Sequence, residues 1–232
     1  LVSALSHEMS VPPVIVRFIS NSKLKNGEIM TDPNYTHLTL VVDRSGSMSS
    51  FREDAQGGLD TLLAEQFADS GIFTYTLTEF DSQINNVTRL SAVAQPYTLV
   101  PRGNTALLDA VGSEILATGA DLARLPEEKR PHKVLFAIIT DGHENASREF
   151  NLSRLRDMIS AQETQFGWNF QFIGAEAAAW QGREMGINSS SYKRSEKGTS
   201  SALKSMSRNL NEFRKSAPSE KFLMEIDIED ED

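Results

Sequence analysis

Residues 38–48 read Leu38-Thr39-Leu40-Val41-Val42-Asp43-Arg44-Ser45-Gly46-Ser47-Met48, and the fold follows from how this run begins and stops. Five apolar or β-branched residues in succession suit a strand buried on both faces, at the centre of a sheet. The run then delivers Asp43, Ser45 and Ser47 at alternate positions. In extended chain alternate side chains point the same way, so the three oxygen-bearing groups line one side of a cavity.

Working outward, the periodicity predicts a helix over 51–70 (Leu59, Leu62, Leu63, Phe67) and a strand over 72–80. The Asp81-Ser82 link to a more polar strand at 83–90 is short enough to require an antiparallel hairpin. Arg102-Gly103-Asn104-Thr105 then leads into a helix over 106–122. A second buried strand, 134–140, stops at Asp141-Gly142. A helix over 152–165, a strand over 169–173, a small-residue helix over 175–185 and a last helix over 199–215 complete the pattern. Strands alternating with helices predict an α/β fold: a doubly wound, mostly parallel, Rossmann-like sheet flanked by helices, with one antiparallel edge strand. Ligands of such sheets sit at the carboxyl ends of strands near the switch point, where Asp43 and Asp141 fall.

Residues 1–35 read as an N-terminal extension with Val14 to Ile19 as an extra edge strand, 36–217 as the α/β domain, and 218–232 as an acidic C-terminal tail. Opening on Leu1 rather than Met leaves room for a leader removed upstream. The net charge is −9, of which Glu225, Asp227, Glu229, Asp230, Glu231 and Asp232 carry −6, so direct nucleic-acid binding through a basic face is not expected. With no cysteine, thiolate zinc sites, disulfides and cysteine nucleophiles are excluded. No apolar stretch approaches the roughly 20 residues of a membrane-spanning helix.

Carboxylate and hydroxyl oxygens suit a hard cation such as Mg²⁺. Two carboxylates and three hydroxyls, from Asp43, Ser45, Ser47, Thr105 and Asp141, would under-neutralise it and leave it receptive to an external anion. The segments Asp43 to Met48, Gly103 to Ala110 and Ile139 to Gly142 resemble, in order and spacing, the three motifs of the von Willebrand factor A (VWA) domain, over roughly residues 36–185. The last strand and helix, around Phe172 to Ala175 and Met185 to Ile187, look similar to those of stand-alone bacterial and phage members. The resemblance implies an intact metal-ion-dependent adhesion site (MIDAS) holding Mg²⁺, or Mn²⁺ or Ca²⁺. Ser45 and Ser47 would bind directly, Thr105 directly or through water, and Asp43 and Asp141 largely through water. A carboxylate from a protein partner would complete the octahedron. It further implies either an adaptor of an intracellular ATPase, in the cytoplasm, or an adhesion or structural component of a surface or virion.

Other residues carry two readings each. Asp109 is either a favourable charge in the first turn of its helix or a group behind the ligands. Asp81 reads as a hairpin turn residue or a partner contact, His143 and Glu144 as exposed loop residues or as rim residues that tune partner choice, and Trp168 and Trp180 as core or cover. The acidic tail reads either as a solvated, disordered end or, from the strand-like alternation of Phe222 to Asp230, as a segment that adds to a sheet edge or presents a carboxylate to the metal of the same or another copy, giving self-association. Catalysis is not expected. A phosphoryl-transfer enzyme of the haloacid dehalogenase type would place a second Asp two residues after Asp43, where Ser45 stands. No Gly-x-Ser-x-Gly elbow supports a Ser/His/Asp hydrolase built on Ser45 or Ser47 with His143.

Overall fold

The computed structural model describes residues 31–193, 198–217 and 219–225. The apolar run forms β1, Asp32–Asp43, buried without interruption from Tyr35 onward. It lies in a six-stranded sheet ordered β3-β2-β1-β4-β5-β6, with β2 (Ile72–Phe80), β3 (Ile84–Ser91), β4 (Pro131–Thr140), β5 (Asn169–Ala175) and β6 (Asn188–Tyr192). All neighbours pair in parallel except β2 and β3, the antiparallel hairpin. The order reverses between β1 and β4, which places the ends of these two strands, Asp43 and Thr140, side by side.

Helices α1 (Arg52–Ala68) and α5 (Gly198–Lys215) cover one face over Leu38, Leu40, Val42, Leu135 and Ile139. The other face carries α2 (Leu107–Arg124) and α3 (Leu152–Phe166) over Val41, Phe136, Ile138 and Phe172. Gly58 makes the α1–α5 approach possible, since a Cβ there would stand 2.8 Å from Leu203 Cδ1 and 3.0 Å from the Ser200 backbone. Lys133 ties the far end of α5 to the sheet. Its buried ammonium donates to the carbonyls of Phe213 and Ser216, the latter at 2.7 Å, where the helix dipole favours a cation. Lys133→Met is expected to lower unfolding stability by about 1–3 kcal/mol, read from the urea midpoint, by leaving these carbonyls unpaired.

Two sequence expectations need correction. The small-residue helix over 175–185 is instead the end of β5, a tight turn and the short α4 (Trp180–Met185). Strand β5 continues to Ala175 because Gly174 and Ala175 pair with Ser191 and Tyr192 of β6, a strand of sequence Asn-Ser-Ser-Ser-Tyr that has no apolar alternation to announce it. Of the two tryptophans read as core or cover, Trp168 is buried and Trp180 is 42% exposed. The proposed edge strand at 14–19 and the acidic alternation beyond residue 225 lie outside the described residues. Within the described part of the tail, Phe222 is buried against Phe213 and its N–H donates to Asn169 at 2.9 Å. Among the described residues no helix is long and apolar enough to cross a membrane.

Candidate metal centre

Asp43 is the last residue of β1 and is fully buried. Its Oδ1 accepts the Ser45 N–H at 2.6 Å, closing the turn, and its Oδ2 accepts the hydroxyl of Thr140, at the end of β4, at 2.5 Å. The turn sets Ser45 Oγ and Ser47 Oγ 3.0 Å apart, and Ser47 Oγ donates to Asp141 Oδ1 at 2.6 Å. Thr105, just before α2, brings the third loop in. An ideal Cβ on Gly142 would stand 2.9 Å from Thr105 Oγ1, 3.1 Å from Asp43 Oδ2 and 3.3 Å from Ser47 Oγ. All five expected residues therefore meet at one place. Above Asp43 the surface opens into a depression of about 380 Å³, lined by Ser45, Ser47, Thr105 and Asp141 with Asn145 and His143.

The donor set fits a small hard cation. In an octahedron with oxygens at about 2.1 Å, neighbouring ligands lie roughly 3.0 Å apart. The Ser45–Ser47 oxygen separation of 3.0 Å is of that size, and the hydrogen bond of 2.6 Å from Ser47 to Asp141 sets a carboxylate directly behind it. Among the described residues no three His, Asp or Glu side chains gather, so the centre is hydroxyl-rich and weakly charged. Burial pushes the Asp43 carboxyl up to about 6; hydrogen bonds from Thr140 and Ser45 oppose the rise, and the neighbouring charge of Asp141 adds to it. A divalent cation would compensate that buried negative charge.

The loops are held by residues that the sequence marked weakly or not at all. Asp109 accepts the backbone N–H groups of Arg148, Glu149 and Phe150 at 2.7, 2.9 and 2.8 Å, so its role is to clamp the loop that follows Asp141. Glu144 returns the contact, accepting the Leu108 N–H of α2 at 2.9 Å. Asn145 exchanges two bonds with Thr105: Thr105 N–H to Asn145 Oδ1 at 2.9 Å and Asn145 N–H to Thr105 O at 3.0 Å. Gln181 Nε2 supports Gly142 O at 2.9 Å, and His143, at the rim, bonds Ala177 O and meets the Trp180 ring edge-on.

Asp81 stands in the β2–β3 hairpin turn, where its Oδ1 accepts the Gln83 N–H at 2.7 Å, and it is buried there. Its Oδ2 accepts from Arg44 Nε at 2.9 Å and Arg102 Nε at 2.8 Å, and Arg44 also pairs with Glu79. This cluster joins the loops after β1 and β2 to the one before α2. A signal existed: Arg44 lies inside an otherwise small-residue turn, where an arginine needs a counter-charge.

No protein-family model matches the sequence, and no curated protein is significantly similar to it. Solved structures are similar in fold. Proximal thread matrix protein 1 from the mussel byssus superposes with a TM-score of 0.56 at 13% identity, covering 80% of this chain and 47% of that one. The same byssal protein with a zinc-occupied MIDAS motif gives 0.52 at 15% identity, over 78% of this chain and 47% of that one. This chain thus spans about half the length of the byssal chains. The vWF domain of a type V pili tip protein from Porphyromonas gingivalis gives 0.54 at 8% identity, over 78% of this chain and 97% of that domain. The strand order, the antiparallel edge and these likenesses together give the chain a von Willebrand factor A-like fold.

Proposed function

We propose that the chain is a metal-dependent protein–protein interaction module with a MIDAS-type centre. Ser45, Ser47 and Thr105, backed by Asp43 and Asp141, hold a divalent cation such as Mg²⁺, and an acidic side chain of a protein partner completes the coordination. The observation that carries this is that oxygens of two loops, Thr105 from one and Asp43 and Ser47 from the other, converge beside Gly142 of the third loop, whose Asp141 accepts from Ser47. When bound, such a cation supplies an electrophilic centre that hydroxyl ligands backed by two carboxylates would leave under-neutralised and open to an outside anion. Asp43 orients the serine turn through the Ser45 N–H, and Asp141 orients Ser47 through its hydroxyl. A byssal protein of similar fold has a zinc-occupied MIDAS motif, which supports reading this centre as a metal site.

The function is recognition rather than turnover. Ser45 occupies the place where a phosphoryl-transfer enzyme of this general layout carries its acid, and its hydroxyl already meets Ser47. Affinity capture in Mg²⁺, in chelator, and with Asp43→Ala tests both statements. Partners are expected in Mg²⁺ only and with the wild-type chain only. Equal capture in all three conditions, or Mg²⁺-dependent phosphate release that Asp43→Ala abolishes, would overturn the reading.

A further inference from the structure

Beside the metal centre lies a cation fixed at its root and open at its tip. Arg102 precedes Gly103, whose carbonyl accepts the Gly46 N–H at 3.2 Å between the two serines. The Arg102 backbone N–H donates to Arg44 O at 2.7 Å, and its Nε donates to Asp81 Oδ2 at 2.8 Å. Asp81 is itself immobile, with Arg44 on the same oxygen and the Gln83 N–H on Oδ1 at 2.7 Å. Burial alone would raise the Asp81 carboxyl, but bonds and charge from Arg102, Gln83 and Arg44 outweigh it and hold the group below the usual range. It is therefore an anion at neutral pH.

Arg102 nevertheless keeps 57% of its side chain exposed, while Arg44 is buried. Its two terminal nitrogens have no partner among the described residues. With Nε engaged, a guanidinium still offers its end-on fork, two parallel N–H groups spaced to match the oxygens of one carboxylate. Because backbone and Nε are both fixed, little side-chain entropy remains to be lost on binding. Arg102 is not needed to keep Asp81 satisfied, since Arg44 and Gln83 remain.

Resting on the metal-dependent reading above, we propose that this surface takes a doubly acidic partner segment: one carboxylate completes the metal centre and a second is gripped by Arg102. Arg102 then sets specificity, and the centre alone sets metal dependence. A partner offering a single acid binds, but less tightly.

The test uses the full chain and fluorescent peptides carrying either one Asp or a second Asp one, two or three residues away. Polarisation is read in Mg²⁺ and in chelator, with Mg²⁺ affinity measured separately by calorimetry. The wild-type chain is expected to bind at least one two-Asp peptide about tenfold or more tightly than the one-Asp peptide, in Mg²⁺ only. Arg102→Gln is expected to erase that preference without changing the calorimetric Mg²⁺ affinity. Arg102→Lys, which keeps the charge but not the fork, restores part of it. Mg²⁺-dependent binding with no two-Asp preference, or a preference that survives Arg102→Gln, overturns the role of Arg102 alone. A parallel fall in Mg²⁺ affinity and in both peptide affinities would make Arg102 a loop support and equally overturn it. Binding of both peptides in chelator overturns the metal reading instead.

Discussion

Asp43→Asn is expected to make the metal-free protein more stable at pH 7.5 while abolishing its response to Mg²⁺. Burial raises the Asp43 carboxyl to about 6 against 3.8 when solvated, so the folded chain prefers it protonated. The sign follows: the metal-free protein loses up to about 3 kcal/mol from this group as pH rises from about 4 to about 6, and does not regain it above. Asparagine removes the charge and keeps the shape. Its carbonyl can still accept the Ser45 N–H. Its amide can donate to Thr140, whose hydroxyl hydrogen can turn to Gly142 O, 3.3 Å away. After the loss of charge-assisted bonds, a net gain of about 1–2 kcal/mol is expected, or about 3–8 °C in melting temperature. Wild type should gain about 3 kcal/mol at a hundredfold excess of Mg²⁺ over its Kd, and the variant nothing.

His37 works in the opposite sense. Burial first, then Arg89, holds its imidazole at about 3 against 6.5, so its contribution is full above pH 6.5 and is lost as pH falls. The difference between the wild-type and Asp43→Asn curves isolates Asp43. It should narrow from pH 6 to pH 4. A variant that melts lower at every pH and still responds to Mg²⁺ would show that Asp43 is only a structural carboxylate.

Gly142→Ala tests the centre by filling it. The added methyl would stand 2.9 Å from Thr105 Oγ1 and 3.1 Å from Asp43 Oδ2, where the two facing loops direct their oxygens. Contacts this close displace the hydroxyl of Thr105 from the cavity, and the methyl takes up space that the cation and its ligands need. A loss of at least a hundredfold in Mg²⁺ affinity is expected, with a stability cost of about 1–3 kcal/mol for overpacking. Circular dichroism and calorimetry on one sample separate the two effects. Mg²⁺ affinity within threefold of wild type would show that the oxygens around Gly142 do not surround the cation.

The sheet and the five oxygen-bearing residues were legible in the sequence because both are written as local pattern. Val41-Val42-Asp43 and Ile138-Ile139-Thr140-Asp141 each show an apolar run stopping at a carboxylate. Thr140 was hidden in plain view: a β-branched residue at a strand end reads as strand, and nothing local shows that its hydroxyl reaches Asp43 from the adjacent strand. Asp81 is the hairpin residue its position suggests, but its bonds to Arg44 and Arg102 are invisible for the same reason. Its two arginines lie 37 and 21 residues away in sequence, so a short hairpin was the only visible explanation. Strand β6 was missed because three serines at a sheet edge carry no hydrophobic signal, and its pairing with β5 then lengthened a strand that seemed to end at Ile173.

The bonds that Asp109, Glu144 and Asn145 make across the two loops have a mechanical consequence. Thr105 and Asp141 are carried by a single piece, comprising the start of α2 and residues 142–150, and the turn of Asp43, Ser45 and Ser47 is bonded to it through Gly46 N–H to Gly103 O and Ser47 to Asp141. On the reading proposed above, a pull on one loop would be shared by all three through these bonds, so the oxygens would keep their spacing until the bonded loops gave way together.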